Sequence, residues 1–174
     1  MKRCVFFDRD GIVNRPPASS PYVRAWSEFE LAPEFVDALR LVLNKGYEAV
    51  IVTNQKGIAL GIMTRQDVEA IHQELRKRLK KEHRMEILDI LYCPHDDGQC
   101  NCRKPQPGML LEAARRHDID LASSWMIGDS ERDIEAGRLA GCRTILVRGG
   151  DGPSLSDNRV ADMRELNDRI AEWL

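Results

Sequence analysis

The feature that most constrains this chain is an alternation of short apolar runs with segments of helical periodicity. Residues 3–7, 48–52, 87–92, 124–127 and 144–147 read as strands. Between the first two, Phe35, Val36, Leu39, Val42 and Leu43 recur at helical spacing. Pro33 suits the opening position of that helix, and Gly46 closes it. Val68, Ile71, Leu75 and Leu79 form one apolar face behind Thr64, with Asp67 in the capping-box position. Further helices are predicted over residues 107–117, 130–140 and 163–174. Strand and helix in alternation predict an α/β fold with a doubly wound, mostly parallel sheet. The length of 174 residues suits a single domain, 1–174, with no repeat and no linker. Residues 15–21 and 149–159 read as loops.

The charge balance narrows the partners. A net charge of −2 provides no strong field for nucleic acid or anionic membrane. No apolar run reaches the roughly 18 residues of a spanning helix. The N-terminal apolar run is too short for an export signal, so a cytoplasmic monomer acting on a small molecule is expected. The basic residues Arg76, Lys77, Arg78, Lys80 and Lys81 read as the solvated face of an amphipathic helix.

In a doubly wound sheet, ligands bind beyond the carboxyl ends of the strands. Four predicted strand ends carry reactive residues: Asp8-Arg9-Asp10-Gly11, Thr53-Asn54-Gln55, Arg103-Lys104-Pro105, and Gly128-Asp129 with Asp133 following. Two carboxylates about 4 Å apart repel by roughly 4 kcal/mol at an effective dielectric of 20. Aspartates converging on one sheet edge therefore require a cation, or one must stay protonated. Oxygen ligands without histidine suit Mg²⁺, which also takes phosphate oxygens. Mg²⁺ and a lysine together reconcile a phosphate dianion with those carboxylates, so the edge is suited to phosphoryl chemistry.

Cys93, His95, Cys100 and Cys102 lie within ten residues. In a cytoplasmic chain this clustering reads as a tetrahedral Cys₃His zinc site, closed and therefore structural. Disulfides and free thiols are the competing readings. Such a site would pin the loop that carries Arg103 and Lys104. Cys4 and Cys142 read as core cysteines, and His72, His83 and His117 as solvent-facing helix residues.

The ordered set Asp8-x-Asp10-Gly11, Thr53-Asn54, Lys104-Pro105 and Gly128-Asp129-x-x-x-Asp133 resembles the motifs of the haloacid-dehalogenase (HAD) superfamily of phosphatases. Tyr22-Val23, Val52-Thr-Asn-Gln55, Cys93-Pro-His95 and Cys102-Arg-Lys-Pro-x-Pro-Gly-Met109 resemble more closely the D-glycero-D-manno-heptose 1,7-bisphosphate phosphatases and the related histidinol-phosphate phosphatases. The resemblance implies that Asp8 is the nucleophile and Asp10 the general acid and base. Thr53 would bond the transferring phosphoryl oxygens, and Lys104 would neutralise charge on Asp8 and phosphate. Asp8, the Asp10 carbonyl and Asp129 would hold Mg²⁺, and Asp133 would orient Lys104 or a metal-bound water. Asn54, Gln55 and Arg103 would contact substrate, together with Lys104.

No insertion after Asp10, or between Thr53 and Lys104, is long enough for a separate cap domain. The substrate-reading segments point in two directions. Only four residues separate His95 from Cys100, as in the histidinol-phosphate enzymes, whereas Tyr22-Val23, Phe29-Glu30 and residues 107–110 lean toward the heptose enzymes. The loop over residues 15–20 lacks an acidic, glycine-containing segment, and Ser130 stands where the heptose enzymes commonly have lysine. Heptose bisphosphate is the favoured substrate and histidinol phosphate the alternative. Two other classes compete: a phospho-accepting signalling module, and a zinc-organised binding module with a silent site. Asp10 argues against the first, because a second aspartate serves to turn an aspartyl-phosphate over.

Overall fold

The computed structural model describes residues 1–18, 20–150 and 152–174. The main sheet runs β5 (Asp89–Cys93), β4 (Glu48–Asn54), β1 (Cys4–Phe7), β6 (Trp125–Gly128), β7 (Arg143–Val147) and β8 (Asn158–Val160), and every neighbouring pair is parallel. The doubly wound, parallel expectation is met.

Side-chain alternation along the buried strands explains the layers. Val5 and Phe7 of β1, Ala49 and Ile51 of β4, and Trp125 and Ile127 of β6 face α1 (Pro33–Asn44), α2 (Arg65–Arg78) and α5 (Met163–Trp173). Cys4, Phe6, Val50, Val52 and Met126 face α3 (Gly108–His117) and α4 (Glu131–Ala140) on the other side. Both Cys4 and Cys142 are buried in this second layer, as expected. Thr64 caps α2 as its sequence predicts: its hydroxyl accepts from the Asp67 amide at 3.1 Å, and the Asp67 carboxylate accepts from the Thr64 amide at 2.8 Å.

Three differences from the sequence reading have local causes. β8 overlaps the end of the stretch read as a loop; it is three residues long and polar at two of them, so it carries no strand periodicity, and its pairing with β7 places it. Asn14–Arg15, at the start of the other predicted loop, and Glu30–Leu31, beyond its end, form a two-stranded antiparallel ribbon, β2 and β3. Of these two loops, Ser19 and Asp151 lie outside the described residues. The basic stretch at the end of α2 is exposed or half-buried but not free: Lys77 pairs with Glu74 at 2.6 Å, Arg78 with Glu82 at 3.0 Å and Lys80 with Glu86 at 2.7 Å.

Candidate active site

The carboxyl ends of β4, β1 and β6 are adjacent at the middle of the sheet, so the segments following them meet. Lys104, in the loop between β5 and α3, is the hub of that meeting. Its side chain is 3% exposed, and Nζ lies 2.6 Å from Asp8 Oδ1 and 2.6 Å from Asp133 Oδ1. It also donates to the Val52 carbonyl at 3.0 Å, which uses all three ammonium donors. Asp133 is itself fixed, because its Oδ2 accepts from the Ser130 amide at 3.1 Å and the Ser130 hydroxyl at 2.8 Å at the start of α4.

Two glycines let the carboxylates approach. Gly11 adopts φ +95° and a Cβ there would overlap the Asp129 carboxylate, while a Cβ on Gly128 would overlap Asp133. Asp8, Asp129 and Asp133 consequently bring one oxygen each within 4.8 Å of one another. Burial pushes the Asp8 carboxyl up to about 8, against the pull of Lys104 and with the push of Asp133. Burial, with Asp133 adding to it, pushes Asp129 up to about 6. Burial alone would lower Lys104, but Asp133 and Asp8 override it and hold the ammonium above its ordinary range. One lysine thus serves three carboxylates. Asp133 is saturated by Lys104 and Ser130, which leaves oxygens of Asp8 and Asp129 facing each other without a countercharge. That all-oxygen deficit fits a hard divalent cation.

The Asp10 carboxylate is not part of this cluster; the expected metal contact of this residue is its main-chain carbonyl. The carboxylate is gripped by Arg9, whose Nη2 lies 3.0 Å from Oδ1 and 3.1 Å from Oδ2, by Asn14 at 3.1 Å and by Gln55 at 3.0 Å. Only its main-chain carbonyl is left to face a cation. Asn54 and Gln55, expected as substrate contacts, are both hydrogen-bonded within the protein. Asn54 donates to the Lys104 carbonyl and accepts from the Lys104 amide, both at 3.0 Å, so it braces the lysine loop against β4. Gln55 is buried and spends its amide on Asp10 and on the Thr53 hydroxyl at 2.9 Å. Arg103 is buried, with Nε 2.6 Å from Asp97 rather than extended outward.

His72 is the largest departure. The sequence reading put it in solvent, but it is 6% exposed and its Nε2 lies 3.2 Å from Nη1 of a fully buried Arg9. The signal was available: position 72 continues the stripe Val68, Leu75, Leu79 at helical spacing. Arg9, equally missed, sits between the two motif aspartates. His117 is also partly covered, with Nε2 2.7 Å from Asp89. Burial first, and the Arg9 and Arg76 charges second, lower the His72 imidazole to about 3. The unfolded chain takes up that proton near 6.5, so the contribution of neutral His72 to stability is whole above that pH and is lost as pH falls toward 3. Denaturant titrations of wild type and His72→Gln should therefore diverge below pH 6.5, the wild type losing up to about 1.4 kcal/mol more per pH unit. Parallel curves would contradict the burial of a neutral imidazole.

The cysteine loop closes on itself. The Sγ atoms of Cys93, Cys100 and Cys102 are 3.2 to 3.4 Å apart, and His95 Nδ1 is 3.6 Å from Cys93 and 3.5 Å from Cys102. Metal–sulfur bonds of about 2.3 Å at tetrahedral angles give edges of similar size, roughly 3.8 Å. All the cysteines are unpaired thiols. Hydrogen bonds from Cys102, the Arg103 amide and Cys93 overcome burial and bring Cys100 down to about 6, while burial holds the Cys93 and Cys102 thiols above their ordinary value. The loop is tied down by Lys56 to Asp96 at 2.6 Å and by Arg103 to Asp97.

An open cleft of about 570 Å³ borders Gly11 and Asp129 and is walled by Arg15, Glu34, Arg148 and Arg164. Among the described residues, no separate cap unit lies over it, and no helix is long and apolar enough to cross a membrane.

Comparison with known proteins agrees with this geometry. The HAD-hydrolase-like family profile matches residues 101–171. D-glycero-beta-D-manno-heptose-1,7-bisphosphate 7-phosphatase of Pseudomonas aeruginosa is 39% identical over 150 residues, covering 85% of this chain and 82% of that protein. The Pseudomonas putida protein of the same name is 36% identical over 171 residues, covering 97% and 95%. The crystal structure of D,D-heptose 1,7-bisphosphate phosphatase from Bordetella bronchiseptica, complexed with magnesium and phosphate, superposes with a TM-score of 0.85 at 30% identity over 99% of both chains. With these residues gathered on this sheet and these relatives along nearly its whole length, the chain belongs to the HAD family of phosphatases.

Proposed function

We propose that this chain hydrolyses the 7-phosphate of D-glycero-D-manno-heptose 1,7-bisphosphate through an aspartyl-phosphate on Asp8, as a cytoplasmic monomer. The observation that carries the reading is the Asp8–Lys104–Asp133 bridge with Asp129 beside it, Asp129 also lining an open cleft of about 570 Å³.

Asp8 Oδ1 is held by Lys104, which leaves Oδ2 to attack phosphorus. Thr53 accepts from Gln55, so its own hydroxyl proton is free to bond a phosphoryl oxygen. Asp10, aimed by Arg9, Asn14 and Gln55, protonates the departing sugar oxygen and then takes a proton from the water that cleaves the acyl phosphate. Asp8, Asp129 and the Asp10 carbonyl would hold Mg²⁺, which when bound supplies positive charge to the carboxylates and phosphate oxygens. Cys93, His95, Cys100 and Cys102 would hold Zn²⁺, with Arg103 and Lys104 stationed directly after that loop. Elemental analysis of protein purified without added metal should find about one equivalent of zinc; folded protein without it would contradict the assignment.

The relatives' names divide between beta and alpha anomers, so the deciding assay measures phosphate release with Mg²⁺ from both anomers of the bisphosphate, histidinol phosphate and simpler sugar phosphates. The expected result is a kcat/KM for one heptose anomer at least about tenfold above every non-heptose substrate, about 1.4 kcal/mol of discrimination. Preference for histidinol phosphate would replace this reading with the alternative one.

A further inference from the structure

We infer that His72 is a positioning residue for this phosphatase, acting through Arg9 to hold Asp10 in line with the leaving oxygen. The inference rests on Asp10 serving as the general acid.

Arg9 is wholly buried one residue after the nucleophile, and its guanidinium divides its donors between two partners. Nε and Nη2 grip the Asp10 carboxylate at 3.0 to 3.2 Å, while Nη1 meets His72 Nε2 at 3.2 Å. The Arg9 main chain is also fixed, since its carbonyl accepts from the Val13 amide at 2.8 Å and the Asn14 amide at 3.1 Å. The Phe29 ring lies 6.0 Å from the guanidinium carbon. The fork is therefore defined at both ends, and His72 is the end that belongs to another element, α2. An imidazole can serve here only as a neutral ring carrying its proton on Nδ1, so that Nε2 accepts. Its burial keeps it in that form.

Removing the acceptor leaves a buried Arg9 donor unpaired. The side chain must then turn to find a partner, and the Asp10 carboxylate it grips turns with it. Asn14 and Gln55 still hold Asp10, so proton transfer is weakened and not abolished. A shift of this kind has a chemical signature. An alkyl leaving group needs protonation as its bond to phosphorus breaks, whereas p-nitrophenolate leaves without it.

The experiment measures kcat/KM, which reports the steps through transfer to Asp8, for the wild type and for His72→Leu, His72→Asn, His72→Gln and Asp10→Asn. The substrates are the heptose bisphosphate and p-nitrophenyl phosphate. For His72→Leu the alkyl ester should lose about 10- to 100-fold while the aryl ester stays within about threefold. His72→Gln, whose amide oxygen can accept from Arg9, should restore the alkyl reaction. His72→Asn stops short of Nη1, should show the same defect as leucine, and replaces it if the leucine variant does not fold. An equal loss on both esters, or a glutamine variant no better than asparagine, would overturn the positioning role. If Asp10→Asn itself spares the alkyl ester, it is the assigned role of Asp10 that fails; a wild type inactive on both esters overturns the phosphatase reading itself.

Discussion

Asp8→Asn is expected to lower phosphate release by at least about 1,000-fold, as removal of a nucleophile does, while making the metal-free protein more stable. The two effects share a cause. Asp8 sits 13% exposed beside Asp133, and among the described residues Lys104 is the only cation within bonding distance of either. Its carboxyl holds a proton up to about 8 in the folded state, against 3.8 in the free side chain. Such a group stabilises the fold fully at low pH, and that contribution is lost as pH rises from about 4 through about 8. Asparagine carries no charge to bury and leaves Lys104 and Asp133 as a balanced pair. In EDTA at pH 8 to 9 the variant should gain about 1 to 2 kcal/mol, shrinking toward zero or reversing near pH 4. Thermal melts across that range check the sign. A variant destabilised at every pH would show that the Asp8–Lys104 bond outweighs the repulsion.

Lys104→Met is expected to produce the largest loss of stability in the molecule. It strips the countercharge from Asp8 and Asp133, both largely inaccessible to water. Removing one partner from a buried ion pair costs about 3 to 5 kcal/mol, or a melting temperature lower by roughly 10 °C in a chain of this size. Hydrolysis should fall with it, since nothing then balances the charge of phosphate against Asp8. The double variant Lys104→Met/Asp8→Asn should recover more of the lost stability than the about 1 to 2 kcal/mol that Asp8→Asn gains alone under the same conditions, because it removes one stranded carboxylate. Strict additivity of the two changes would mean that the pair is not coupled as its 2.6 Å contact implies.

How much of this was legible in the sequence depended on whether a residue's role follows from its own type and place along the chain. Asp8, Thr53 and Asp129 stand at or just beyond strand ends, and a parallel sheet brings such ends together without further information; Lys104 comes from the loop after β5. The cysteine loop is local, so its four candidate ligands could be read from spacing alone. Asn54 and Gln55 were harder. Each is a polar residue at a strand end, and whether its amide faces substrate or the Lys104 main chain and Asp10 is decided by loops arriving from 45 to 50 residues away. His72 was missed because a histidine on a helix of charged residues reads as solvated, although its place in the apolar stripe pointed inward. β8 was missed because a strand of three residues has no period to detect, and only its neighbour β7 makes it a strand.

On the proposed mechanism, Asp10 marks the difference between a phosphate acceptor and a hydrolase. The chain commits Arg9, Asn14, Gln55 and, through Arg9, His72 to orienting that single carboxylate. A module that only stored a phosphoryl group would have no need of them.

The central claim is that Asp8 carries the phosphoryl group between substrate and water. The most direct measurement is peptide mass spectrometry of the Asp10→Asn variant, quenched in acid during reaction with the preferred phosphate ester. Loss of the general base should slow cleavage of the intermediate, so the peptide containing Asp8 should carry the mass of one phosphoryl group. A phosphoryl group on any other residue, or ester cleavage that leaves Asp8 unmodified throughout, would contradict the mechanism.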